Sequence, residues 1–143
     1  MNPAGLAVII LAGGLILYFI MGHRPQQTIS SGNASVDALA KAISIAEGSN
    51  PSWNNPGSLT KSFGFSNQGP QNADGVLKFS TLNDGWQALY VQIQDILEGH
   101  SHFTLSETLD EFGLRWSGNP NWSVNVAREL GVSTNTTLGE VLS

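Results

Sequence analysis

Apolar residues recur at Val36, Leu39, Ala40 and Ile43, the spacing that draws a single stripe along an α-helix. The stripe predicts a first helix, capped by Ser35 and stopped at Gly48, which can adopt a left-handed conformation. A second stripe, Leu82, Trp86, Leu89, Ile93 and Ile96, follows Thr81 and Asp84, whose spacing makes a capping box, and runs to Gly99. This is the expected central core helix. Thr104 with Glu107 repeats the capping pattern before Leu105, Leu109 and Phe112; Asn121 is placed to cap a helix carrying Val124, Ala127 and Leu130 up to Gly131. Thr137 with Glu140 predicts one short terminal helix. Between the first two helices, the apolar-aromatic stretches 59–65 and 76–79, separated by Gly, Pro, Asn and Gln, predict a small β-hairpin. The pattern is therefore mainly α, with four or five helices around one long one.

The amino-terminal pattern is different. Residues 5–21 carry no charge, a length that spans a hydrocarbon core of roughly 30 Å as a helix when extended by a residue at each end. Nothing basic precedes this run, and Tyr18, Phe19, Ile20 and Met21 form a poor cleavage site, so the expectation is an uncleaved anchor over residues 1–23. His23 and Arg24 bias orientation only weakly. Residues 24–34, with Pro25, two Gln and several Ser or Thr, read as a flexible linker, leaving residues 35–143 as one domain with a modest core.

Composition narrows the chemistry. The net charge is −5, and all eleven acidic residues lie from Asp37 onward, with no cluster of Lys or Arg. Nucleic acid is thereby excluded as the expected ligand. With no cysteine there is neither a disulfide framework nor a thiolate metal site. His23, His100 and His102 do not form a zinc pattern, so no metal or other cofactor is expected.

Glu47 falls four residues after Ile43, on the buried stripe and in the last turn of its helix. Burial and the negative end of the helix dipole both disfavour the ionised form, which gives the raised pKa that a general acid near neutral pH requires. The competing reading is an exposed last-turn residue. The following loop favours chemistry: Ser49, Asn50, Trp53, Asn54 and Asn55 supply an aromatic face and amides that both donate and accept hydrogen bonds, a set suited to a sugar. Asp74 and Asp84 are read as turn and cap residues, so only one carboxylate stands out.

Glu47-Gly48 ahead of Asn54-Asn55-Pro56-Gly57-Ser58-Leu59, then Gly75, Phe79, and Gly85 with Ala88-Leu89, resembles the small lytic transglycosylase-like domains of phages and bacteria, which are similar to goose-type lysozyme. Thr108-Leu109, Trp116, Asn121, Val126-Ala127 and Leu130-Gly131-Val132 continue the family's order, so the resemblance covers roughly residues 35–143. It implies an α+β lysozyme-like fold in which the hairpin walls a cleft, peptidoglycan glycan strands as substrate, and one Glu acting first as acid and then as base. A second carboxylate, needed by most hydrolysing glycosidases, is not required. The resemblance also implies a substrate-binding place for Phe79, and for Trp116 a substrate-binding place in the cleft that faces the catalytic Glu. Trp116 stands where relatives often have Tyr, and keeps the ring face without the hydroxyl. Ser49 is displaced by Gly48 from the family's Ser position.

The resulting expectation is a single-pass membrane protein facing peptidoglycan, on a cell or a lipid-containing virion, with other envelope or virion proteins as further partners. Two other classes stay open: a non-catalytic wall-binding or structural protein retaining the fold, and a membrane-anchored scaffold.

Overall fold

The computed structural model describes residues 6–10, 16–20 and 29–143. Leu6–Ile10 (β1) and Ile16–Ile20 (β2) pair antiparallel, with Leu6 opposite Ile20. The remaining residues of the expected anchor and most of the expected linker lie outside the described residues. No helix among the described residues is long and apolar enough to cross a membrane.

Helix α1 (Ala34–Glu47) forms where the stripe predicts, and buries Val36, Leu39, Ala40, Ala42 and Ile43. Its cap is Asn33 rather than Ser35: the Asn33 side chain accepts from the backbone N–H groups of Ser35 and Val36. Gly48 ends it in the left-handed conformation, φ 55°. A 3-10 turn, Pro51–Trp53, opens the loop that follows. The β-hairpin exists but is displaced. It pairs Asn67–Pro70 (β3) with Leu77–Phe79 (β4), whereas residues 59–65 form irregular backbone joined to β4 through the Leu77 N–H on the Leu59 carbonyl, 2.9 Å.

Helix α2 (Leu82–Leu97) starts at its Thr81 cap and buries Leu89, Ile93 and Ile96, while Leu82 is exposed because it occupies the first, outward-facing turn. Helix α3 (Leu109–Trp116) begins four residues later than the Thr104–Glu107 spacing predicts. A second capping box, Thr108 with Glu111, sets its start. Helix α4 (Pro120–Leu130) is capped by Asn119, not Asn121, because Pro120 takes the first helical position, where its missing N–H costs nothing. Helix α5 (Leu138–Val141) has the expected Thr137–Glu140 box. The starts of α3 and α5 lie side by side: Leu109 N–H reaches Thr136 O at 2.9 Å, and Leu138 N–H reaches Glu107 O at 2.8 Å.

Helix α1 packs against α2 on one side and α4 on the other, and α3 packs on α4. One core results, filled by Leu39, Ile43, Phe79, Leu89, Ile93 and Phe112, all essentially dry. The fold is mainly helical with a small antiparallel sheet in the domain, compatible with α+β. This packing brings the end of α1 against the ends of α3 and α4.

Candidate active site

Glu47 is half-buried and turned inward. Its Oε1 accepts two hydrogen bonds, from the indole N–H of Trp116 at 2.8 Å and from that of Trp122 at 3.0 Å. The rings of these tryptophans stack with centroids 6.0 Å apart at 26°. Each is held from behind by Phe112, which meets Trp116 at 5.2 Å and Trp122 edge-on at 5.6 Å. Gly113 makes the arrangement possible, since a Cβ there would lie 3.1 Å from Trp122 Cε3 and from Ser123 Cβ. Trp122 is consequently pressed onto α3 with 3% of its surface exposed. The Ser123 hydroxyl fixes the start of α4 by donating to Asp110 Oδ1 at 2.6 Å.

The loop after α1 supplies the other side. Ser58, left-handed at φ 51°, carries a hydroxyl that shares a 2.7 Å bond with the Ser49 hydroxyl and acts on the Glu47 carboxyl as a donor favouring its ionised form. A non-glycine residue in this region is strained and is held only where its surroundings demand it. Burial pushes the Glu47 carboxyl above its ordinary value, and the donors Ser58, Trp122 and Trp116 pull it back only in part. Glu47 is thus an acid held without a countercharge.

Beside this constellation runs a groove of about 470 Å³. Ser58 and Trp116 line it together with residues 59–61 and Phe63, Gln92 and Asp95 of α2, residues 100–103, and Arg115. Arg115 is fixed there: it pairs with Glu107, donates to His102 O at 2.8 Å and lies over the Phe103 ring at 4.9 Å.

Of the residues singled out in the sequence, Glu47 and Trp116 meet directly and Ser49 joins them through Ser58. The others have different places. Phe79 is wholly buried, so it supports the loop from the core and has no surface for a ligand. Asn55 is 2% exposed, and its side chain is spent on backbone: its amide donates to Leu59 O at 2.9 Å and Leu77 O at 2.8 Å, and its oxygen accepts from Leu59 N–H at 2.8 Å. Asn54 ties the loop to the Phe79 carbonyl at 3.1 Å. Asn50 caps the 3-10 turn, accepting from Ser52 N–H at 3.0 Å. Trp53 is half-buried, in that turn and outside the lining of the groove. Trp116 does bond the carboxylate despite having no hydroxyl, because its indole N–H is a donor in its own right.

The sequence reading missed Trp122, Ser58, Asp95 and Arg115. Trp122 had one usable signal, a large aromatic with a single polar donor three residues into a helix. Among the described residues, Asp95, Glu98 and His100 could hold a metal, each offering one ligand atom within 4.8 Å of the others at the end of α2. Glu98 and His100 are exposed and face each other at 3.5 Å. No protein-family model, curated protein or solved structure matches the chain.

Proposed function

We propose that the chain is a membrane-anchored lytic transglycosylase of the lysozyme-like class, cleaving the MurNAc–GlcNAc bond of peptidoglycan to open the cell wall locally. The observation that carries this reading is Glu47, a carboxyl raised in pKa by burial and held between two indoles, one of which, Trp116, lines a groove that Glu47 itself does not line. Such a group is protonated when most carboxylates are not, and is positioned to give up that proton. In the proposed reaction Glu47 protonates the glycosidic oxygen as the bond to the sugar's anomeric carbon breaks. The resulting carboxylate then takes the proton of the same sugar's 6-hydroxyl while O6 bonds to that carbon. The product is a 1,6-anhydro sugar; no water is consumed and Glu47 returns to its acid form. The fold class and the order of loop residues support the assignment to this family, and the apolar amino-terminal stretch supports anchorage to a cell or virion membrane with the domain facing the wall.

A second reading is favoured by Asp95, a further carboxylate in the groove. Two carboxylates would permit hydrolysis, with a free reducing end in the product. A zymogram on purified peptidoglycan with mass analysis of the products separates the readings. The expected result is anhydro products, and a loss of roughly 10²- to 10⁴-fold in Glu47→Gln with folding intact. Reducing-end products that vanish in Asp95→Asn would establish the hydrolase, and absence of any cleavage by the folded wild type would leave a wall-binding or structural protein.

A further inference from the structure

The two indoles of Trp116 and Trp122 do more than fill space around Glu47. An indole N–H can only donate, so neither ring can reverse its bond when the carboxyl changes protonation state. Both bonds end on the same atom, Oε1. An oxygen accepting two N–H bonds has both lone pairs engaged, and a proton placed there would face two donors with nothing to receive it. The acid form is therefore fixed as C=Oε1 and Oε2–H. From this geometry we propose that Trp116 and Trp122 are positioning residues that divide the labour of the two oxygens: Oε1 is a permanent acceptor, and Oε2 alone delivers and recovers the proton.

The arrangement answers a difficulty for any single residue working as acid and then base. A carboxyl free to turn about its last bond would present either oxygen, and half its orientations would carry the proton away from the substrate. Holding Oε1 from two directions stops that rotation before substrate arrives, so orientation does not have to be fixed during the reaction. It also moderates the burial of the acid, because both donors favour the ionised form that Glu47 must adopt between its two roles.

The groups facing Glu47 are Ser58 and the two indoles; no charged side chain contributes to its shift. On the neighbouring elements, Asp37 accepts from Ser30 and Ser31, Arg115 pairs with Glu107, Asp110 takes the Ser123 hydroxyl, Glu111 closes a capping box, and Arg128 bonds Asn125. Asp84 bonds the Thr81 hydroxyl, and Asp95 lies in the groove. Burial and, against it, these donors are thus the local controls on this acid.

The inference rests on the transglycosylase reading only for its catalytic consequence, and the test separates the two. The Glu47 carboxyl carbon and the indole N–H signals are followed by NMR across pH in the full chain, in wild type, Trp122→Phe and Trp116→Phe. Phenylalanine keeps a ring and removes the donor. In wild type both indole signals should move with the Glu47 titration. Each variant should raise the Glu47 midpoint, since a donor to the ionised form is lost, and should shift the alkaline limb of cleavage activity the same way. kcat should fall by roughly ten- to a hundred-fold with KM little changed, as expected when a group is mispositioned by a fraction of an ångström. Trp116 is only half-buried, so its variant serves if Trp122→Phe fails to fold. A folded variant of either tryptophan with an unmoved Glu47 midpoint overturns the proposal and makes that ring simple packing. A raised midpoint in a protein that cleaves no glycan leaves the oxygen assignment standing and removes the enzyme.

Discussion

Gly85→Ala probes the contact that sets the loop beside Glu47. A Cβ built at Gly85 would lie 1.8 Å from the Asn54 carbonyl oxygen, 2.9 Å from its carbon and 3.0 Å from Pro56 Cδ, so α2 and the loop must part by more than about 1 Å. Neither side yields easily. On α2 the next turn carries Ala88 and Leu89 in the dry core, and on the loop Asn54 and Asn55 are bound to Phe79, Leu59 and Leu77. Helix propensity works the other way, favouring Ala over Gly by about 1 kcal/mol. Overpacking costs about 1–3 kcal/mol, and each backbone-directed bond lost from the loop costs about 1 kcal/mol more, so the clash wins by about 2 kcal/mol. For a domain of this size that lowers the melting temperature by about 10 °C.

The assay is thermal unfolding of wild type and variant at one pH, read by near-ultraviolet circular dichroism, which reports tryptophan packing. The loop also carries Ser49 and Ser58, so any cleavage activity measured well below the melting point should fall with it. A Gly85→Ala protein melting at or above the wild-type temperature would refute the reasoning, because the propensity gain would then outweigh a clash that the geometry makes unavoidable.

Two further outcomes follow from the same geometry. Asn55→Ala should lower stability by about 3 kcal/mol, measured by urea unfolding, because it orphans one buried N–H and deprives two buried carbonyls of a donor; a loss below about 1 kcal/mol would mean water replaces the amide. Glu47→Gln should melt above wild type at neutral pH: a carboxyl whose folded pKa is raised binds more protons folded than unfolded, so wild-type stability falls as pH rises from the ordinary value near 4.5 to the folded value. Below that window both are uncharged and the difference should close, and a gap that persisted at low pH would assign it to packing.

The stripe of α1 was legible because helical periodicity is local: Val36, Leu39, Ala40 and Ile43 face the core whatever they pack against. Glu47 inherited its inward direction from that stripe, and burial produced the direction of its pKa shift. The caps were less legible, since Asn33, Thr108 and Asn119 compete with neighbours of equal capping power; Pro120 decides for Asn119, and the start of α3 at Thr108 is joined to the start of α5. The indole partners of Glu47 lie 69 and 75 residues away along the chain, and no periodicity encodes such a meeting. Asn55 and Asn50 show the opposite failure. A polar amide in a turn-rich loop looks the same in sequence whether it faces a ligand, caps a turn or staples buried backbone, and here the structure gives Asn55 the last role.

The energetics of the two sides of the site differ in kind. Asn55, Asn54 and the Gly85 contact are satisfied and close-packed, which is how a fold holds a loop in place. Glu47 is the opposite, an acid whose burial opposes its charge at neutral pH and which receives hydroxyl and indole donors instead of a cation. A cation beside the carboxylate in place of these neutral donors would abolish the acid, by driving the carboxyl to its ionised form. Three neutral donors orient the group while leaving the proton on it. That compromise leaves the buried carboxyl without a countercharge, and it is the arrangement that the proposed use of its proton requires.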